Sequence, residues 1–504
     1  MAINFNHQTN TITAASGAPA PILGTPAVQV NGASPGVYSG YSVGGFTKAG
    51  DPAFVRGDGF VEPFVSFATE ALGTITTPGG GVTGSYSAAA FSPDYYRVLA
   101  AIDANWVWGT PDPVNNTVTW STLNNPYSVG GQAIMLYYEQ RKMFVLIYGD
   151  SFNSGALTAR TIQITGWNAA YTAPTLTAGS ALVISTSSNF NNVNLFDAAY
   201  IETDLQSRIG VIYKNQTSGG VEMVGLYVSA SGAVSISSSA TTVIPSSDSP
   251  TSPAVCSILT PASNGAYKFG VAYSNSNGAY AMVVDASSLS VTNAATLVAT
   301  AGAATTRIAY ESTEDRLVVM YANKLIAADY TQTPITYGSA VTTTLDSITT
   351  SVLYDPTSDK IFAVSASSTG IGDVKLCALT LSNLTLAVDA TNTVRSPQAK
   401  MPTLIMAVNP LVVYQNQSAS YLEARPYKPN RGSNISRFSG FIQASTANGQ
   451  TATVSTTGAV VDNVGVVRPL TQYYLSTNAL LTTSSTAYPV GKAVSPYSIL
   501  LSLS

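Results

Sequence analysis

The residues best suited to ligand contact are aromatic and lie close together in sequence. They are Trp106, Trp108, Trp120 and Trp167, with Tyr137 and Tyr138 nearby. An aromatic ring stacks on the apolar face of a sugar, but it serves equally as packing between sheets. Trp106 and Trp108 share one face of a predicted strand, because alternate strand residues point the same way. We therefore predict Trp106 and Trp108 as the glycan or partner contact, with core packing as the more common role of such residues.

Catalytic chemistry is harder to place in this sequence. Carboxylates that cleave glycosides act in pairs that only the fold brings together. Asp103, Asp150, Asp197 and Asp285 stand at predicted loop positions, where such residues are usually turn or cap residues. The Ser-x-Asp-x-Gly-x-Thr-Trp box of propeller sialidases is missing, and NNTVTW at 115–120 lacks its Asp and Gly. We predict no catalytic residue and no enzyme.

Metal and cofactor sites also lack a sequence signal. Cys256 and Cys377 fit no metal or redox spacing, and their apolar neighbours favour buried free thiols over a disulfide. His7 is the single histidine, too few for a histidine metal site or a Ser-His-Asp triad. We find no Gly-rich phosphate loop. The prediction is no cofactor and no bound metal.

Charge and hydropathy restrict the partners. The chain has 504 residues, of which 10% are charged, against about 25% in typical soluble proteins. Its 22 basic and 26 acidic residues provide no basic surface for nucleic acid. Apolar runs such as MFVLIY at 143–148 are far shorter than the ~20 residues of a membrane helix, and the first residues do not resemble a signal peptide. We expect neither nucleic-acid binding nor membrane insertion.

A strand–turn–strand motif with a basic residue after the turn recurs through the middle of the chain. Its copies carry Arg97, Lys142, Arg208, Lys268, Arg316 and Lys360, and a degenerate copy has Pro410 instead. Each copy is followed by two further strand-like segments, the size and content of a propeller blade. The basic residues are predicted to be solvated hairpin residues, with a ring of basic ligand contacts as the alternative.

These repeats predict an all-β fold, a seven-bladed β-propeller with small β elements at its ends. The predicted parts are an N-terminal attachment arm (1–35), a small β segment (36–85), the propeller (86–430) and a C-terminal β-barrel or sandwich (431–504). One terminus should complete the last blade, because a closed ring leaves only short edges. The predicted closing strand is FVEPFVSFAT at 60–69.

Both ends resemble structural proteins of tailed bacteriophages. AGDPAFVRGDGFVEP (49–63) matches an A-G-D-x-x-x-x-x-x-D-G-x-V pattern of such proteins, and NFNHQTNTITAASG (4–17) is similar to the openings of phage fibres. C-terminal modules of virion proteins are matched by FSGFIQAS (438–445), YYLST (473–477), VGKAVS (490–495) and ILLSL (499–503). The departures are Ser-Gly for an Ile-Gly step and Val-Arg-Pro-Leu for the usual Gly-Leu-Thr.

The resemblance implies a non-enzymatic structural component of a phage virion. The leading expectation is a tail fibre or a nozzle-like tail-tip protein for host attachment and receptor binding, with a capsid-decorating fibre as the alternative. Expected partners are other virion proteins, bound through the arm and the C-terminal domain, further copies in a homo-oligomer, and a host-surface glycan. Its location would be the virion, on the tail or capsid surface, after synthesis in the host cytoplasm. A carbohydrate-binding or polysaccharide-degrading propeller is the competing class.

Overall fold

The chain folds almost wholly into β-strands, as β-branched and aromatic segments between polar turns should. The computed structural model describes residues 70–77 and 87–429, except 93–94, 96, 103–104, 113–115, 130–131, 168–172, 188–189, 191–194, 202–206, 259–266, 301–304, 347, 356–357, 367–371, 408 and 417–420. Outside this range, the structure describes the strands of the two chain ends that are given below. Helical structure in these residues is limited to the 3-10 turns Glu139–Arg141, Ser151–Asn153 and Ser246–Asp248. The all-β prediction is confirmed.

The chain divides into two compact units, one of residues 71–429 and one of residues 1–70 with 430–504. The larger unit is a succession of antiparallel sheets whose strands pair in chain order. Sheet A contains Ser87–Ser92, Arg97–Ile102, Asn105–Asp112 and Thr117–Thr122. Sheet B contains Ala133–Tyr138, Met143–Asp150, Ala156–Trp167, Pro174–Ala178 and Leu182–Ser185. Sheet C contains Phe196–Ile201, Arg208–Lys214, Val221–Val228 and Val234–Ile244.

Three further sheets continue the same pattern. Sheet D contains Thr251–Ile258, Lys268–Asn275, Gly278–Asp285 and Val291–Ala299. Sheet E contains Thr306–Glu311, Arg316–Tyr321, Lys324–Asp329, Thr336–Tyr337 and Val341–Thr342. Sheet F is longer and contains Ile348–Asp355, Lys360–Ala366, Gly372–Ser382, Thr385–Met406, Pro410–Asn416, Tyr421–Lys428 and Ala71–Leu72.

The sheets pack face to face in a closed series. Five hydrophobic clusters each join two consecutive sheets, from A with B through to E with F; Trp108 and Phe144 belong to the first of these clusters, and Val318 and Ala363 to the last. A further cluster joins sheet F back to sheet A through Leu411 and Val98. The first strands of neighbouring sheets also lie side by side around the series. Sheets that bury both faces around an axis form a β-propeller.

The ring closes with a strand from the N-terminal side of the propeller. Ala71–Leu72 pairs with Tyr427–Lys428, and the amide nitrogens of Thr76 and Ala424 each donate to the other's carbonyl oxygen at 3.0 Å. The closing strand does come from the predicted small β segment (36–85), but not from residues 60–69 as predicted, because Val61–Pro63 pairs with Pro52–Val55 in the other unit. Apolar alternation identified a strand there, but it carries no information about the partner strand.

The smaller unit mixes strands from both ends of the chain. One sheet has the order Val37–Tyr41, Thr451–Ser455, Gly440–Ile442, Pro52–Val55 and Val61–Pro63. A second has the order Val460–Asp462, Ser498–Leu501, Tyr488–Ser495, Gln472–Leu475 and Leu481–Thr482. Ile3–Asn6 and Thr11–Ala14 form a hairpin. Residues 36–85 and 431–504 were predicted to be separate parts, whereas strands of both share one sheet, in which Gly440 pairs with Ala53.

Several repeat-associated basic residues are structural and not freely solvated. Lys360 is 8% exposed, and its Nζ lies 2.9 Å from Oδ2 of Asp389. Arg208 of sheet C donates from Nη1 to the carbonyl oxygen of Ser287 of sheet D at 3.0 Å. Arg316 forms an ion pair with Asp329 at 3.6 Å. The prediction of solvated hairpin residues is wrong at these three positions because each basic residue ties strands or sheets together.

Candidate functional site

Trp106 and Trp108 lie in the core and not on the surface. Each is 1% exposed. Trp106 donates from Nε1 to the carbonyl oxygen of Tyr127 at 2.7 Å, and Trp108 contacts Tyr95, Phe144 and Trp167 with ring centroids 6.1–6.2 Å apart. Both belong to the cluster between sheets A and B. The prediction that Trp106 and Trp108 form a surface contact is therefore wrong. Both have the core-packing role that was the alternative.

The other aromatic residues of the predicted group have mixed roles. Trp120 is partly exposed and donates from Nε1 to Thr76 Oγ1 at 2.9 Å, which ties sheet A to the closing segment. Trp167 lies 6.0 Å from Tyr95, ring centroid to ring centroid, and both are partly exposed. Tyr138 is buried and donates to the carbonyl oxygen of Ser207 at 2.8 Å.

The described carboxylates of the predicted set lie on three different sheets. Asp103 lies outside the described residues, and Asp150, Asp197 and Asp285 belong to sheets B, C and D. Asp197 accepts hydrogen bonds from the amides of Val255 and Ala198 at 3.0 and 2.9 Å. Its pKa is raised because burial disfavours the charged form, although Arg307 acts in the opposite direction.

Asp285 is a turn residue, as its sequence position suggested. Burial alone would raise its pKa, but hydrogen bonds from Ser288 and Ser287 more than offset this and lower it. The described part of the chain has no group of three His, Cys, Asp or Glu that could hold a metal ion. No helix among the described residues is long and apolar enough to cross a membrane.

The cysteines are free, as predicted. Cys377 is buried and Cys256 is intermediate in exposure. Burial raises the pKa of the Cys377 thiol to about 11 and raises that of Cys256 further. A protonated thiol is a poor nucleophile at neutral pH, so neither residue is suited to catalysis.

One group of aromatic and charged side chains lies at the edge between sheets A and B. We call it the Arg160 patch; its members are Tyr127, Tyr148, Asp150, Phe152 and Arg160. Strand alternation places Tyr148, Asp150 and Arg160 on the face of sheet B that packs against sheet A, since Leu146 pairs with Arg160 and Asp150 with Ala156. Tyr127 comes from the segment that joins the two sheets. Trp106 fixes that segment through its hydrogen bond to the Tyr127 carbonyl oxygen.

The contacts within the Arg160 patch fix the orientation of the guanidinium group. Arg160 Cζ lies 3.8 Å from the ring centroid of Tyr127, close enough for a cation–π interaction. Arg160 Nε donates to the Tyr148 hydroxyl at 2.9 Å, and the two tyrosine rings are 5.1 Å apart. The Tyr127 hydroxyl donates to Asp150 Oδ1 at 3.2 Å, and the Phe152 amide donates to the same oxygen at 3.1 Å.

The tyrosines of the patch remain protonated donors. Burial first, and then Tyr148 and Asp150, raise the pKa of Tyr127. Burial likewise raises the pKa of Tyr148, although Arg160 opposes the shift. Neutral hydroxyls can therefore orient both the arginine and the aspartate at physiological pH.

Three groups of the patch are left for a ligand. Arg160 Nη1 and Nη2 have no hydrogen-bond partner among the described residues and are not buried. Asp150 is only 9% exposed; both of its side-chain hydrogen bonds are made by Oδ1, and its Oδ2 has none among the described residues. Phe152, two residues further on in a 3-10 turn, is 78% exposed. The patch thus presents two donors, one acceptor and an apolar ring.

A second sequence repeat marks this position, and the sequence analysis missed it. A Tyr-x-Asn or Tyr-x-Asp triplet ends the second strand of several repeats: 148–150, 213–215, 273–275, 321–323 and 414–416. Asn215 and Asn416 donate from Nδ2 to Glu222 and Glu423 at 2.6 and 2.7 Å. The triplet 148–150 differs in having aspartate, which distinguishes Asp150, one of the predicted carboxylates, from the asparagines of the other repeats.

Comparisons with known proteins give a fold likeness and no family. No protein-family model matches the chain, and no curated protein sequence matches it. Among solved structures, the six-bladed propeller lectin of Aleuria aurantia aligns with a TM-score of 0.39 and 10% identity, covering 64% of this chain and 99% of the lectin. The polysaccharide lyase Uly1 aligns with a TM-score of 0.38 and 8% identity, covering 69% and 90%. A luciferin-regenerating enzyme aligns with a TM-score of 0.32 and 14% identity, covering 59% and 88%. The propeller assignment therefore depends on this chain's own strand pairing and sheet packing.

Proposed function

We propose that the larger unit is a carbohydrate-binding propeller that uses the Arg160 patch without catalysing a reaction. Three features of the patch carry this proposal: the Phe152 ring is 78% exposed, the Phe152 amide donates to Asp150 Oδ1, and Arg160 Nη1 and Nη2 have no hydrogen-bond partner among the described residues. A sugar ring has an apolar C–H face that stacks on an aromatic ring, and hydroxyls that need planar donors and acceptors at its edge. The patch offers an aromatic ring together with planar donors and acceptors. The sheets that carry these side chains are packed on both faces, so the side chains are already in position before a ligand binds.

The proposed ring has seven blades. Sheet F contains two meanders that share the long strand Thr385–Met406, whose early residues pair with Gly372–Ser382 and whose late residues pair with Pro410–Asn416. A cluster between Val364 and Tyr414 supports the interpretation of the two meanders as separate packed blades. Ala71–Leu72 then forms the outer strand of the seventh.

Binding to immobilised glycans, followed by titration calorimetry with the best ligand, tests the carbohydrate proposal. We expect Phe152→Ala to weaken binding about tenfold, since it removes the stacking ring at ~1.4 kcal/mol. Leu297→Ala is the matched control, because Leu297 is also an exposed apolar side chain, 40% exposed, but lies in sheet D. Equal effects of the two substitutions would contradict the proposal. New reducing ends after incubation with the bound polysaccharide would support the polysaccharide-degrading alternative.

A second candidate function, a structural component of a phage virion, is favoured by the pairing in the smaller unit. The phage-like segments 49–63 and 438–445 share one sheet, where Gly440 pairs with Ala53 and Phe441 with Pro52. YYLST, VGKAVS and ILLSL share the other sheet through pairs such as Tyr473 with Gly491 and Gly491 with Leu501. The motifs distant in sequence thus belong to one folded unit, the expected attachment module for virion partners or further copies.

Cryo-electron microscopy of the intact particle tests the virion proposal. Density for this chain at a tail tip or fibre would support host attachment, with the glycan of the first proposal as receptor. Density over the capsid lattice would support a decorating fibre instead. A particle without density for the chain would contradict the virion proposal and leave carbohydrate binding to be judged on its own assay.

A further inference from the structure

Arg160 has no ion-pair partner among the described residues. Three partly buried basic residues have carboxylate partners: Arg316 with Asp329 at 3.6 Å, Lys360 with Asp389 at 2.9 Å and Arg395 with Glu423 at 3.3 Å. Arg208 and Arg425 instead donate from Nη1 to backbone carbonyl oxygens, those of Ser287 and Val394. No carboxylate oxygen lies within 4.0 Å of Arg160 in the part of the chain that the structure describes. Asp150 belongs to the same patch, but its Oδ1 is held by Tyr127 and Phe152.

The free edge of Arg160 has a defined geometry. The Tyr127 ring covers one face of the guanidinium, and the Tyr148 hydroxyl occupies Nε. Nη1 and Nη2 remain as a pair of parallel donors. Two parallel donors on a planar cation match the two oxygens of a carboxylate, and such charge-assisted pairs are about twice as strong as neutral hydrogen bonds. A sugar hydroxyl would use one donor and leave the charge unpaired.

We propose that the ligand is an acidic carbohydrate whose carboxylate binds Nη1 and Nη2 of Arg160. This inference depends on the proposed carbohydrate-binding function and names its ligand class. The sugar ring stacks on Phe152, and Asp150 Oδ2 accepts a hydrogen bond from a ring hydroxyl.

Calorimetry with two matched oligosaccharides tests the inference: one with a uronic acid residue, the other with that carboxyl group reduced to the alcohol. The acidic ligand should bind about tenfold more tightly, equivalent to ~1.4 kcal/mol. Arg160→Gln should abolish this difference, because the amide cannot form the charged two-donor pair. Arg160→Lys should retain only part of it, since an ammonium lacks the planar fork. Arg141→Gln, which changes an exposed arginine at the other end of sheet B, should leave the difference unchanged.

The outcomes separate the inference from the proposed function. Equal binding of both oligosaccharides, weakened by Phe152→Ala, would overturn the acidic ligand and leave carbohydrate binding intact. Tighter binding of a sulfated counterpart than of the uronic acid would overturn the carboxylate assignment. Absence of binding to either ligand and to every immobilised glycan would overturn both. If Arg160→Gln fails to fold, as shown by lost thermal cooperativity, the comparison of Arg160→Lys with the native chain decides the inference.

Discussion

At the residue scale, the buried Trp106 supports the candidate site from within the core. Trp106 holds the backbone at Tyr127, and the Tyr127 ring lies against Arg160. The sequence correctly placed Trp106 and Trp108 on one strand face. It could not show that this face is buried, because a propeller sheet packs on both sides and even the intervening Val107 is 4% exposed. Amphipathic alternation, which identifies a solvent face in an ordinary sheet, gives no such information here.

Removal of the Trp106 hydrogen bond should affect both stability and binding. Trp106→Phe leaves the Tyr127 carbonyl oxygen without its donor and should lower the free energy of unfolding by about 1 kcal/mol. It should also weaken carbohydrate binding, because the segment that carries Tyr127 is released. Urea denaturation and calorimetry measure the two effects. Trp120→Phe is the control, since it loses the Nε1 bond to Thr76 but leaves the Arg160 patch untouched. Equal loss of binding in the two variants would contradict the positioning role.

Trp108 should contribute more to stability than any hydrogen bond at this place. Its ring fills the space between sheets A and B among Tyr95, Phe144 and Trp167. Trp108→Ala should cost about 3–5 kcal/mol of unfolding free energy, because it leaves a large cavity. Denaturant unfolding monitored by circular dichroism measures this cost. A loss below ~1 kcal/mol would mean that the interface is far looser than the ring contacts indicate.

At the element scale, the closing segment shows what a repeat pattern cannot predict. The repeat predicted each meander because its strands are neighbours in sequence, whereas closure pairs Leu72 with Tyr427 across the whole propeller. Such a pairing depends on close backbone approach more than on apolar content. Gly73 provides that approach: its amide donates to the Pro426 carbonyl oxygen at 2.7 Å, and an added Cβ would lie 2.1 Å from the Asn116 carbonyl oxygen.

Gly73→Ala should therefore loosen the closure of the ring. The new methyl group must displace backbone at Asn116 and the Pro426 side chain, at a cost of about 1–3 kcal/mol. Gly166→Ala is the matched control, because a Cβ there meets Thr175 Oγ1 at 3.7 Å, an ordinary contact. Thermal unfolding and proteolysis of residues 71–77 report the effect. If the two variants unfold alike, the segment does not close the ring.

At the scale of the whole molecule, the sequence predicted the sheets better than their arrangement. The short periodic strands and polar turns of the middle region are sufficient to predict four-stranded meanders. The smaller unit depends on pairings between residues some 400 apart, such as Phe441 with Pro52, for which the sequence has no local signal. The Arg160 patch has the same origin, since Tyr127 and Arg160 meet only because sheet A packs on sheet B.

Because the same packing buries titratable side chains, we expect the folded chain to lose stability at alkaline pH. With 10% charged residues, the chain has few carboxylate pairs whose titration would dominate. Burial instead raises the pKa of several tyrosines, including Tyr213, Tyr273 and Tyr354, and raises that of Cys377 from 9.0 to about 11. A raised pKa means that the folded chain keeps a proton that the unfolded chain releases. Stability is therefore complete below the unfolded pKa values and falls as the pH rises above them.

We expect the urea midpoint to be flat between about pH 7 and pH 8.5 and to fall steeply above about pH 9.5. The part of the tyrosinate absorbance that comes from the buried tyrosines should then rise together with unfolding, because their hydroxyls ionise only when the packing opens. Cys377→Ser removes one of the titrating groups and should reduce the slope slightly, whereas His7→Gln should leave the alkaline slope unchanged. Ionisation of Tyr213, Tyr273 and Tyr354 at alkaline pH while the chain is still folded would contradict the burial of these hydroxyls, and with it the closed packing of the sheets on which the site depends.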